Sequence, residues 1–140
     1  MILLGNKDKR RKDEGSPLER YRKAFLHACD GIKYAVKNEH NMIIIITAAI
    51  TITILGIFLK FNLVEWLFVI TMIGTITASE LLNSSIEAAV DLVTIKDNKL
   101  AKIAKDCGAG ATLILCIISV IGFILIMIPR IGGSLWNSIQ

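Results

Sequence analysis

Recognisable metal, disulfide and phosphate-loop patterns are missing from this sequence. Its three cysteines, Cys29, Cys107 and Cys116, form no CxxC and cannot all pair. Two would lie on the cytoplasmic side, so reduced structural thiols are expected rather than a disulfide framework. His27 and His40 lack metal-ligand spacing. Gly108 and Gly110 are not followed by the Gly-Lys-Ser/Thr ending of a phosphate-cradling loop, so they are read as positions of close helix packing. No internal repeat is present. Charge is also missing from long stretches: residues 42–59 and 107–128 carry none, and neither does 66–79. A soluble domain would interleave polar residues through such runs. Collected like this, they are long enough, or nearly so, for a hydrocarbon core of about 30 Å. The first run begins too far along the chain for a signal peptide and has no small-residue cleavage site after it, which argues against a secreted soluble protein.

The chain has 140 residues, 54% of them hydrophobic and 20% charged, with a formal net charge of +4. Ten of its sixteen Lys and Arg residues precede residue 38, and four more stand at 96, 99, 102 and 105. Lys60 and Arg130 are alone on the other membrane flanks. Short basic segments remain in the cytoplasm, so the N-terminus and the 92–106 loop are expected inside and the C-terminus outside. The tail of residues 1–16, with its run from Lys7 to Lys12, reads as a disordered, lipid-attracted segment. No aromatic residues are interleaved there, so nucleic acid is not an expected partner.

An all-α membrane protein follows from the periodicity. Ser16-Pro17 supplies an N-cap and a first-turn proline. Leu18, Tyr21, Phe25, Ala28, Ile32 and Ala35 then recur at steps of three and four, flanked by Arg20, Arg22, Lys23, Lys33 and Lys37. This is an amphipathic helix over 17–38, too charged to span and suited to the membrane surface. Three spans are expected at about 42–60, 63–93 and 107–128, with a basic connection at 94–106 and a short external tail at 131–140.

The chemistry is concentrated where the second span leaves the membrane. On a helix turning 100° per residue, Glu80, Asn83, Glu87 and Asp91 fall within an arc of about 80°. One helix therefore presents three carboxylates and an amide in a row, rising about 10 Å from Glu80 to Glu87. Acids crowded beside hydrocarbon cost several kcal/mol unless a divalent metal, Lys or Arg sits among them. Mg²⁺ suits such a set, since it takes one or two carboxylates and completes its shell with phosphate oxygens. Glu39, Lys105-Asp106 and Arg20 share the same expected depth. Intramembrane acids could instead serve a proton or ion pathway, but such a pathway favours mid-bilayer positions. A small ion or proton transporter and a non-catalytic membrane interaction protein are the alternatives from other classes.

The segment ASELLNSSIEAAVDLV, followed by KLAKIAKDCGAGATL, resembles the signature of the bacterial diacylglycerol kinase and undecaprenol kinase family. The similarity runs from about Arg20 to Ile128. Its most specific part is E-x-x-N-S-x-I-E-x-x-x-D followed 14 residues later by Lys-Asp. The resemblance implies a small homotrimeric lipid kinase whose active sites are shared between neighbouring subunits. Its reaction would move the γ-phosphoryl group of ATP to a membrane lipid alcohol, either undecaprenol or diacylglycerol. By the same resemblance, Glu80 is the catalytic base, and Glu39 and Glu87 are the metal ligands that bridge to ATP. Arg20, His27, Lys105 and Asp106 contact the nucleotide, while Asn83 and Asp91 support the site. Two departures stand out. Lys96-Asp97-Asn98 replaces a Glu-Tyr-His found in many members, and His27 stands where some carry Tyr.

Overall fold

The computed structural model describes residues 16–139, with side chains as far as Arg130. Four helices account for nearly all of them: α1, Pro17–Asn38; α2, His40–Phe58; α3, Leu63–Val93; and α4, Lys99–Ile139. No strand occurs among the described residues. The basic tail expected over 1–16 lies outside them except for Ser16.

α1 belongs to a compact unit that ends at Asn38, and a second unit begins at Glu39. Its first turn is closed by a capping box. The Ser16 amide donates to Glu19 Oε2 at 2.9 Å, and the Glu19 amide donates to Ser16 Oγ at 3.3 Å. Leu18, Tyr21, Phe25 and Ile32 are all exposed along the helix. An apolar stripe left bare beside lysines and arginines is the pattern of a helix lying in a membrane interface.

In the second unit α2, α3 and α4 are each long and apolar enough to cross a membrane, so this is a membrane protein. The 19 residues of α2 extend about 28 Å, close to the hydrocarbon thickness. α3 has 31 residues and extends about 46 Å, so it cannot be contained in that layer. Its last turns, which carry Glu87 and Asp91, must emerge. α3 packs on both α2 and α4, whereas α2 and α4 have no direct packing among the described residues. Ser79 and Thr112 join α3 to α4 through a hydroxyl pair at 3.1 Å.

The helix that carries the third expected span is longer than the span itself. α4 begins at Lys99 rather than at residue 107, which confines the connection to a few residues after Val93. The reason is local: Asn98 Oδ1 accepts from the Leu100 amide at 2.8 Å and the Ala101 amide at 3.2 Å, and so caps the helix. Asn98, one of the departures from the family pattern, thus has a structural role. Lys105 and Asp106 are consequently helical. At its other end α4 continues past Pro129 to Ile139, where a tail was expected.

The α2–α3 connection is tightly organised. Phe61 N–H donates to Gly56 O at 2.9 Å and Lys60 N–H to Ile57 O at 3.2 Å, the pairing of a Schellman motif. Lys60 takes the left-handed position with φ 53°, where glycine is usual, at a cost of about 1 kcal/mol. Asn62 and Glu65 then form the capping box that starts α3. Arg130 fastens this corner. Its Nε and Nη2 donate to the two Glu65 carboxylate oxygens at 3.0 and 2.5 Å, and its Nη1 donates to Leu59 O at 2.6 Å. The guanidinium also lies 4.9 Å above the Phe61 ring, which meets Trp66 edge-on. Gly56 permits this arrangement, since a Cβ there would stand 2.9 Å from Phe61 and 3.0 Å from Trp66.

Candidate active site

α3 is helical without interruption from Leu63 to Val93, so Glu80, Asn83, Glu87 and Asp91 share one face. Glu80 is only 1% exposed. Neither of its carboxylate oxygens has a hydrogen-bond partner among the described residues. A buried carboxylate lacking such partners costs several kcal/mol, so this arrangement calls for a partner from outside the described residues. Glu80 lines a cavity of about 240 Å³ together with Asn41, Ile44, Ile45, Ala109, Thr112, Leu113 and Cys116. The carboxylate therefore stands at the head of a largely apolar space formed by all three spanning helices.

One turn further along, Asn83 is 3% exposed, and its Nδ2 donates to Glu87 Oε1 at 3.1 Å. Its Oδ1 lacks a partner, like both oxygens of Glu80. Asn83 is held in place by Gly108 on α4: a Cβ at that position would stand 2.6 Å from Asn83 Oδ1. Close helix packing therefore explains Gly108. It does not explain Gly110, where a Cβ would meet open space. Ser84 Oγ donates to Glu80 O at 3.0 Å, which keeps that hydroxyl occupied within the helix.

Beyond Glu87 the row reaches the other helix. Lys105 Nζ on α4 donates to Asp91 Oδ1 on α3 at 2.5 Å, with both side chains partly exposed. Asp91 thus positions a cation about four residues beyond Glu87. Asp106 is exposed beside it in sequence. Glu39 occupies the N-cap position of α2, yet its carboxylate makes no capping bond and is half-buried. Arg20 and His27 stand on α1, in the first unit. The structure thus brings together Glu80, Asn83 and Glu87 on one helix, and Asp91 with Lys105 across two. Among the described residues, no three His, Cys, Asp or Glu side chains converge as a metal cluster.

Three residues near these groups escaped sequence reasoning. Asn41 is a polar residue at the start of a span, and Thr112 and Cys116 follow Gly108 at helical steps of four. Those spacings were available as signals. The Glu65–Arg130 pair, 65 residues apart, offered none beyond two charges at one membrane boundary.

A helical membrane protein with a buried, unsatisfied carboxylate at the edge of its bundle is the class that these features define. The family model of prokaryotic diacylglycerol kinase matches residues 26–127. An undecaprenol kinase of Bacillus subtilis strain 168 is 38% identical over 120 residues, covering 86% of this chain and 98% of that protein. A diacylglycerol kinase of Helicobacter pylori strain J99 is 36% identical over 92 residues, 66% of this chain and 72% of that protein. The chain belongs to the prokaryotic diacylglycerol kinase family and is a lipid kinase.

Proposed function

We propose that the protein phosphorylates undecaprenol at the expense of ATP, with Glu80 as the general base. The observation that carries this reading is Glu80 itself, 1% exposed and, among the described residues, without a hydrogen-bond partner at either oxygen. A base that must take a proton from a lipid hydroxyl needs a free carboxylate within reach of hydrocarbon, and the 240 Å³ space beside it has mostly apolar walls. The hydroxyl oxygen attacks the γ-phosphorus, the bond to the ADP oxygen breaks, and the hydroxyl proton passes to Glu80. Catalysis of this kind depends mainly on positioning and on neutralising phosphate charge.

Lys105, oriented by Asp91, is suited to meet a nucleotide phosphate as a point charge. Arg20, His27 and Asp106 are assigned to the nucleotide by the family pattern alone. Oxygen-only donors on Glu39 and Glu87 fit Mg²⁺, which needs one or two carboxylates from the protein when phosphates and water complete its shell. When bound, Mg²⁺ supplies positive charge against the phosphate oxygens. Glu87→Gln should therefore weaken use of Mg-ATP, with the defect easing as Mg²⁺ is raised. A Mg²⁺ titration giving wild-type activity throughout would reject Glu87 as a ligand.

The assembly proposed is a homotrimer with sites shared between subunits, a reading that rests on membership of the family. The orientation proposed has the N-terminus and the Lys96–Lys105 region in the cytoplasm and the C-terminus outside, supported by the Lys and Arg distribution. In a Cys-free background, Ser134→Cys should label from the external face of a bacterial inner membrane in intact cells. Labelling only after permeabilisation would show the orientation inverted.

Undecaprenol is preferred over diacylglycerol because the undecaprenol kinase matches along almost its whole length. Purified protein offered both alcohols with Mg-ATP in mixed micelles should consume the prenol faster. Faster phosphorylation of diacylglycerol would reverse the assignment while leaving the lipid-kinase site intact.

A further inference from the structure

A Ser or Thr hydroxyl inside a helix can spend its proton on a carbonyl one turn back. Most of the withdrawn hydroxyls in the spanning helices do so. Thr53 Oγ1 donates to Ala49 O and Thr77 Oγ1 to Ile73 O, both at 2.7 Å. Ser84 Oγ donates to Glu80 O at 3.0 Å and Ser119 Oγ to Leu115 O at 2.8 Å. Ser79 and Thr112 depart from this pattern. Among the described residues, the only side-chain hydrogen bond of either is the one they share, at 3.1 Å. Two hydroxyls carry two protons, and one bond between them uses one. The other proton is left without a protein partner, where an unmade hydrogen bond is costly.

Thr112 is 8% exposed and lines the cavity of Glu80, whereas Ser79 does not. On α4 it stands between Ala109 and Cys116, at steps of three and four, on the face turned to that cavity. With Ser79 donating and Thr112 accepting, the spare proton belongs to Thr112 and serves the cavity. Of the other polar groups there, Asn41 is exposed and the Cys116 thiol is a weak donor. Among the described residues, the cavity thus joins the two unpartnered oxygens of Glu80 to one buried donor with a proton to spare. A group that suits both must donate on one side and accept on the other. An alcohol does both with a single atom.

We propose that Thr112 binds the oxygen of the incoming lipid alcohol, and that Ser79 positions Thr112 for this. Thr112 donates to one lone pair of that oxygen while the alcohol's own proton points to Glu80. The second lone pair is left to attack phosphorus. The proposal rests on the reading of Glu80 as the base, and it assigns the group that aims the hydroxyl at it. It holds for either lipid alcohol, because it concerns the hydroxyl and not the tail.

The test compares variants of the full-length protein in detergent, each assayed with the faster of undecaprenol and diacylglycerol and each with its Tm. Thr112→Val keeps the shape and removes the donor. Its kcat/KM for the alcohol should fall about three- to tenfold, the worth of one neutral hydrogen bond, with KM for ATP unchanged. Thr112→Ser restores the hydroxyl and should recover most of that loss. Ser79→Ala breaks the same bond between α3 and α4 but leaves the Thr112 hydroxyl in place. It should lower Tm comparably to Thr112→Val and activity less. A merely structural pair predicts equal losses of activity in Thr112→Val and Ser79→Ala, and that result would overturn the proposal. So would wild-type kcat/KM in Thr112→Val, or a loss that serine does not recover. Should valine fail to fold there, Thr112→Ala repeats the measurement with the same expectations. Normal turnover by Glu80→Gln would sink the reading of Glu80 itself. An inactive Glu80→Gln beside a fully active Thr112→Val refutes this inference alone.

Discussion

Arg130→Ala should destabilise the protein, read as a lowered Tm in detergent, while leaving the chemistry of the folded fraction largely intact. Its guanidinium holds Glu65 through two charge-assisted hydrogen bonds and also satisfies Leu59 O. Both partners are mostly withdrawn from solvent, with side-chain exposures of 26% for Arg130 and 14% for Glu65. Removing one leaves the other as an uncompensated charge at the membrane boundary, the costly way to break such a pair. The loss is compounded at Lys60, whose left-handed backbone is held by the same corner. Glu65 lies fifteen residues before Glu80, about 22 Å along α3, so catalytic geometry should survive. Thermal unfolding in detergent gives the stability change. Glu65→Gln/Arg130→Met should be less damaging than the sum of its single substitutions, because the second change removes a group already stranded by the first. Additive losses would show that the two side chains do not act as a pair.

Much of this architecture was legible in the sequence because a membrane imposes simple rules. Uncharged runs give spans, and helical periodicity gives the carboxylate face. Ser16-Pro17 announced the start of α1, and Ser16 with Glu19 closes its first turn. The start of α4 was not read, because the basic stretch from Lys99 to Asp106 looks like a loop by composition. The Asn98 cap makes it helix, and that places Lys105 opposite Asp91. Outside the membrane a short cap outweighs hydropathy in setting where a helix begins.

The candidate site was legible as a row on one helix and not as a three-dimensional enclosure. Glu80, Asn83 and Glu87 are related by helical spacing alone, so no tertiary knowledge was needed to group them. Asn41, Thr112 and Cys116 join Glu80 only through packing of α2 and α4 around α3. The same holds for Gly108, whose place is fixed by contact with Asn83. Gly110, two residues later on a different face, shows that proximity in sequence was a poor guide to which glycine mattered.

Glu80→Gln should assemble and bind Mg-ATP nearly as wild type does, yet lose about 10²- to 10⁴-fold in kcat, the usual range for loss of a general acid–base group. Glutamine keeps the shape and one oxygen of the side chain but cannot take the hydroxyl proton. Glu39, Glu87 and Lys105, the groups assigned to metal and nucleotide, are untouched. Stability should hold or rise, since an ionisable group without partners is removed from a site 1% exposed. The deciding measurement is phosphorylation of undecaprenol by the purified variant, taken beside its nucleotide affinity and thermal stability. A folded variant with normal ATP affinity and turnover reduced at least a hundredfold is the result expected of a catalytic base. A folded variant with near-normal turnover would contradict the assignment on which this account of the site depends.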